Sequence, residues 1–372
     1  MKLLRISILM FCLFIPIQAN ATDVKEEIES KYDFTEIDEM LDEMFPNDKL
    51  NFKDTVLALV SGDMEFSLDL IGDMIGDQLF YELNNSKSGM IQILILVIIA
   101  SIFANFSDVF KSTQVAEISF SMLYMFLITI CLNNFRMLID VTTANVEHLI
   151  NFMELLGPIY FLAVAIAKGS STSITFYQLV LLLIFIIEII ICKFLIPMIQ
   201  IYMVVKILDE FSPGIRLSKF AELIETIVAW ALKTLIAVIV GLNIMQGMLA
   251  PAIDSVKRSI LTKGGEAIPI VGDAIGGTAE VMLATANLIK NGIGAAGMIV
   301  CIIVCLVPII KIAIIALLYQ VVAALIQPIS DKRMVNCVGS MADGTKMLLR
   351  IVTNTGLLFM ITIAIVATIS GG

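Results

Sequence analysis

Two stretches decide how this chain folds: Phe176 to Leu208, FYQLVLLLIFIIEIIICKFLIPMIQIYMVVKIL, and Ala295 to Gln327, AAGMIVCIIVCLVPIIKIAIIALLYQVVAALIQ. Each is 33 residues long, almost wholly apolar, and carries a lysine near its middle, Lys193 and Lys311. As a helix, such a block reaches roughly 50 Å, beyond the roughly 30 Å hydrocarbon core of a bilayer. Each block therefore protrudes, crosses twice as a tight hairpin, or re-enters. A lysine at mid-depth costs about 3 kcal/mol, so it requires a polar partner, a water-filled cavity or a turn.

Composition extends this reading to the whole chain. Hydrophobic residues make up 59% of 372, and mean hydropathy is +0.96. The excess lies in segments near membrane-spanning length, which a soluble domain does not show. Besides the two blocks, Met90 to Phe106, Val115 to Leu132, Ile150 to Ala167, Thr234 to Ala250 and Ile351 to Ile369 read as spans. Six to nine crossings fit. The expected fold class is all-α: a polytopic membrane helical bundle, preceded by a signal peptide and a small acidic helical exported segment.

The amino terminus sets the first boundaries. Lys2 and Arg5, an apolar run from Ile6 to Ile17, and Ala19-Asn20-Ala21 form a signal peptide over 1–21, with cleavage expected after Ala21. Residues 22–87 hold 18 Asp/Glu against 5 Lys, whereas 88–372 is nearly balanced. This acidic surface has no clustered cations and excludes nucleic acid as a partner. Ile37, Met40, Leu41 and Met44, then Leu68, Ile71, Ile75 and Leu79, repeat at helical spacing, with Pro46 closing the first stripe. At this size the segment is marginal as an independent core, so its stripes are expected to dock on a partner or on its own chain.

The region 88–372 reads as a multi-pass membrane domain, with a re-entrant or amphipathic segment near 252–294. An offset of 117 overlays Ile201–Leu208 on Leu318–Leu325 and Leu232-Lys233 on Leu349-Arg350. The chain thus has a candidate internal two-fold repeat, about 176–250 and 295–369, like the duplicated halves of many transport proteins. Two crossings per half make the repeats parallel; three make them inverted.

No catalytic constellation is present. The one histidine, His148, falls in a loop after Cys131-Leu132, and no Walker-type phosphate loop or metal-ligand spacing occurs. No cofactor is expected. The cysteines form no disulfide framework; Cys337 reads as a loop residue, and Cys301 and Cys305 as small buried thiols on one helix face. Gly292, Gly294 and Gly297 satisfy GxGxxG, but with helix before and apolar span after them they do not mark a dinucleotide site. Together with Gly272, Gly276 and Gly277 they read as helix-packing glycines. The intramembrane polar residues Glu188, Lys193, Lys233, Asn243, Gln246, Lys311 and Gln320 are the candidate gate or polar-path positions. On a straight α-helix Glu188 and Lys193 point about 140° apart. Pro197 and Pro308 beside the lysines favour kinked or broken helices.

Ile268-Pro-Ile-Val-Gly272, Asn287-Leu-Ile-Lys-Asn291, Gly294-Ala-Ala-Gly297, Pro308-Ile-Ile-Lys311, Ala316-Leu-Leu-Tyr319 and Ala323 to Pro328 resemble the stage III sporulation protein AE family of endospore-forming bacteria. The resemblance spans nearly the whole chain and is weakest in the acidic segment. It implies a membrane subunit of the secretion-like channel joining mother cell and forespore, required for late forespore gene expression. The implied place is the mother-cell-derived membrane around the forespore, with the acidic segment on the exported side. Implied partners are the other stage III sporulation A-operon membrane proteins, their secretion-type ATPase, indirectly the forespore stage II sporulation protein Q, and membrane lipid. The residues alone also fit a self-contained secondary transporter or a non-conducting scaffold.

Overall fold

The computed structural model describes residues 21–45, 50–62, 84, 91–99, 113–168, 170–211, 217–265 and 272–368. Residues 1–20 of the expected signal peptide, the stripe Leu68 to Leu79 and half of the span Met90 to Phe106 lie outside these. Among the described residues every regular element is helical. Three short helices come first: α1 (Ala21–Lys31), α2 (Thr35–Met44) and α3 (Phe52–Ser61). The long helices follow as α4 (Thr113–Lys168), α5 (Ser170–Ile186), a π-helical segment (Ile187–Leu195), α6 (Ile196–Phe211), α7 (Ser218–Gly265), α8 (Gly272–Ile326) and α9 (Lys332–Thr368). The all-α class and the membrane-helical character hold: among the described residues five spans, Ile118–Ala167, Tyr177–Glu210, Ser218–Leu242, Leu283–Ile326 and Lys332–Ile365, are long and apolar enough to cross a bilayer.

Both decisive blocks are single continuous helical runs. Residues 177–210 run unbroken through α5, the π-helical segment and α6, and Ala295 to Ile326 lies within α8, which continues through Pro308. Residues 272–294, read above as re-entrant or amphipathic, are the first turns of this same helix. The π-helical segment has a local cause. Pro197 has no N–H to give the Lys193 carbonyl and its ring crowds that carbonyl, so the preceding turn widens to i→i+5 bonding.

The separate spans Val115 to Leu132 and Ile150 to Ala167 turn out to be the two ends of one 56-residue helix, α4, about 84 Å long. His148 is therefore helical and exposed, not in a loop. Between the ends, Leu138, Ile139, Thr142, Val146 and Leu149 face the core while Arg136, Asp140, Glu147 and His148 face out. A scan for uniform apolarity breaks at such an amphipathic stretch; the packed bundle does not.

Side-chain contacts fix the directions of the helices. Asn145 donates to the Val304 carbonyl at 2.9 Å, Cys301 Sγ donates to Gly356 O at 3.8 Å, and the Arg333 guanidinium lies 4.5 Å from the Phe120 ring centroid. Asn336 donates to Glu210 at 2.8 Å. With Phe135 and Met203 closing on Gly344, these ties make α4 and α9 parallel, and α6 and α8 antiparallel to both. The two candidate repeat halves thus each supply two helices, α6–α7 and α8–α9, running the same way. Tyr202 and Tyr319, equivalent at the 117 offset, are 1% and 0% exposed. Cys337 is not in a loop but buried in α9 beside Cys131 of α4.

The acidic segment docks on its own chain. Ile37, Met40 and Leu41 of α2 and Phe52 and Val56 of α3 are buried, and Phe52 meets Phe152 of α4 edge-on at 6.2 Å between centroids. Asn51 caps α3 by accepting from Asp54 N at 2.9 Å, and Gly62 ends it at φ 87°, a conformation only glycine takes freely. Asp38 of α2 accepts from Phe52 N at 2.5 Å, and burial pushes its carboxyl pKa up despite that bond. A raised folded pKa means that this group favours folding most when protonated, below the ordinary carboxylate range of about 3.9, and that the contribution is lost as pH rises through the raised value. Asp38→Asn, which keeps the acceptor and removes the charge, is expected to increase the protease resistance of α1–α3 at neutral pH and to add little in acid. An equal gain at both pH values would contradict this account.

Candidate functional site: a belt of charge at the middle of the bundle

The midpoints of the five spans, near residues 142, 193, 230, 304 and 348, lie at similar heights along the bundle. The ties that show this are Asn145 to Val304, Gly344 to Phe135 and Met203, Cys301 and Cys305 to Gly356, and Glu225 and Asp343, both within electrostatic reach of Tyr202. Counted along the helices from those ties at 1.5 Å per residue, Asp140, Lys193, Lys233, Lys311 and Arg350 fall within about 10 Å of one another in height. They come one from each pass: α4, the π-helical segment, α7, α8 and α9.

Four of the five point outward. Asp140, Lys193, Lys233 and Arg350 are exposed and Lys311 is half-buried. The interior at this height is closed. Val304, Cys301, Ile351 and Val352 fill it, and its polar groups bond to backbone, Thr142 Oγ1 to Leu138 O at 2.8 Å, Thr355 Oγ1 to Ile351 O at 2.9 Å and Asn145 Nδ2 to Val304 O, with the Asn145 Oδ1 buried without a partner among the described residues. Described side chains thus form a packed axis with a charged perimeter. A charge facing lipid at the centre of a bilayer costs about 3 kcal/mol on insertion scales. Lysines reduce that cost by reaching toward headgroups; the short carboxylates of Asp140, Glu147 and Glu188 reach much less far.

The π-helical segment changes one relation. Its i→i+5 bonding returns residues five apart to nearly the same side, so Glu188 and Lys193, divergent on an α-helix, share an exposed face. Glu147 of α4 joins them, since Glu147, Lys193 and Glu188 all lie within electrostatic reach of Cys192.

The remaining sequence candidates are scattered. Gln320 is exposed on α8, nine residues past Lys311, and Asn243 and Gln246 lie on α7 with side chains outside the described set. Gly292, Gly294 and Gly297 of α8 sit where other helices come closest: against Val60 of α3, Tyr160 of α4 and Leu156 of α4 respectively. Gly272, Gly276 and Gly277 lie in the first turns of α8. Sequence reasoning missed Asp140, Glu147 and Arg350 as belt members, and missed Lys290, only 1% exposed on α8. The signal for the α4 pair was present: Arg136, Asp140, Glu147, Asn151 and Glu154 recur at three, four and seven residues, the spacing of one helix face. Among the described residues no group of three or more His, Cys, Asp or Glu is arranged to hold a metal ion.

Comparison with known proteins agrees with the motif-based resemblance. The family model described as stage III sporulation protein AE matches residues 50–370. A protein of that name from Bacillus subtilis (strain 168) is 22% identical over 317 residues, covering 85% of this chain and 79% of the relative. No solved structure matches the chain. With most of its length matched, and with the helical membrane architecture described above, the chain belongs to the stage III sporulation protein AE family.

Proposed function

We propose that this sporulation membrane protein is the permease-like or export-gate subunit of a secretion-like channel between mother cell and forespore, needed for late forespore gene expression. In this reading it works with the other stage III sporulation A-operon membrane proteins and their ATPase, and indirectly with the forespore stage II sporulation protein Q. The observation that carries the proposal is the belt: five apolar spans each carry a charge at one height, four of them exposed and Lys311 half-buried, around a filled core. Such a chain meets its polar partners at its perimeter, as a subunit of an assembly does. A self-contained carrier requires a polar midplane site inside the bundle, and the described core there is apolar or bonded to backbone apart from the Asn145 Oδ1. The unbroken course of α8 through Lys311 favours a second reading, a non-conducting scaffold of the same complex.

Charge-preserving and charge-removing variants separate the two. Lys311→Arg is expected to support late forespore gene expression, and Lys311→Met to block it with the protein at its normal level. Equal phenotypes, or loss of the protein in Lys311→Met cells, would leave the scaffold as the better account.

A further inference from the structure

We propose that the outward face of α4 around Asp140 and Glu147, together with the exposed side of the π-helical segment, is the contact surface for a second copy of this chain. The inference goes beyond the channel reading and stands without it. Along α4 the outward positions change character with height. Ile118, Met122, Met125 and Phe126 at one end and Leu162 and Ile166 at the other are apolar, whereas Arg136, Asp140, Glu147 and His148 occupy the middle. On the adjoining pass, exposed Phe185, Ile189 and Phe194 surround Glu188 and Lys193.

Depth makes this face unsuited to lipid. By helix rise, Arg136, Asp140 and Glu147 all lie within about 10 Å of the midpoint of the span Ile118–Ala167, and a hydrocarbon layer of about 30 Å centred on that span would enclose them. Intramembrane charges pair with one another or face a polar cavity. The carboxylates here are the decisive groups, because they cannot extend to the headgroups as lysine can.

The charge pattern selects the occupant. The face carries Arg136 and Lys193 among Asp140, Glu147 and Glu188, so it presents both signs to whatever covers it. A two-fold contact brings the same patch from each subunit together, and a patch of mixed sign is complementary to itself in that arrangement. A single-sign patch would repel its own copy. The flanking apolar side chains at both ends of α4 and along the π-helical segment supply the matching apolar rim.

Ala144 tests this without altering a charge, because it is small, exposed and on the same face. In full-length protein with the native cysteines replaced, Ala144→Cys is expected to give a homodimer band with a membrane-permeant bismaleimide. Leu317→Cys, 58% exposed on the outward face of α8, is expected to give none. Differently tagged copies without any cysteine change should also co-purify. The proposal is overturned if Ala144→Cys stays monomeric, if it crosslinks only to a chain of another mass, or if Leu317→Cys crosslinks as strongly. Should the Ala144→Cys protein fail to accumulate, Asn151→Cys on the same face carries the test.

Discussion

Gly294→Leu is expected to remove the folded protein from the membrane. A Cβ at position 294 would stand 2.6 Å from Tyr160 Oη, 3.1 Å from Tyr160 Cζ and 3.5 Å from Ala367 Cβ. Three long helices, α4, α8 and α9, converge there, so neither neighbour can retreat without displacing the other. Overpacking a close-packed interior costs about 1–3 kcal/mol even for small additions, and a branched side chain here has no free volume on either side. Gly294→Ala isolates the first atom of the clash. Combined with Tyr160→Phe, which removes the hydroxyl that the new methyl meets first, it should cost less than the two single changes added together. Trypsin resistance of the membrane-bound protein measures each variant. Wild-type resistance of Gly294→Leu would show that α4 and α8 are not in contact at this point.

The second large effect is expected at Gly292, two residues away on the same helix. There a new Cβ would run into Val60 Cγ2 of α3, with Val56 O at 3.8 Å. Here the neighbour can move. α3 has ten residues, capped by Asn51 and Gly62, and is held by Phe52 and Val56 against the bundle. Helices of that length are not stable in isolation; tertiary packing holds them. Gly292→Leu should therefore detach the acidic segment while leaving the long helices assembled. Protease added to the face that carries α1–α3 should cut the variant within residues 21–62 and leave the fragment beyond α4 intact. Cutting indistinguishable from the native pattern would contradict the docking. The two glycines differ in outcome for one physical reason: one is enclosed by long helices, the other by a short element with little else to hold it.

These sites also show what was legible beforehand. The glycine run was recognisable as a place where backbones approach, because small residues between a helix and an apolar span have little other use in a membrane. Which helix approaches each glycine was not, since Val60, Tyr160 and Leu156 lie more than 100 residues away in the chain. The lysines at the middle of their blocks were visible for the same reason: a cation interrupts an apolar run. Asp140 and Glu147 were not, because they sit in a stretch polar enough to pass for a loop. Only burial of Leu138, Thr142, Val146 and Leu149 on its other side makes that stretch a continuous helix.

By itself, then, the sequence determines that this chain is a helical membrane protein with an acidic amphipathic segment ahead of its spans. Those properties follow from residue type and spacing, which act locally: apolar runs must hide from water, and only a helix satisfies its own backbone in lipid. Height, facing and enclosure belong to the tertiary structure alone. Asn145 and Val304, 159 residues apart, meet because two helices of 56 and 55 residues pack antiparallel. That packing, not any local preference, brings five separated charges to one level and turns four of them outward around a closed core.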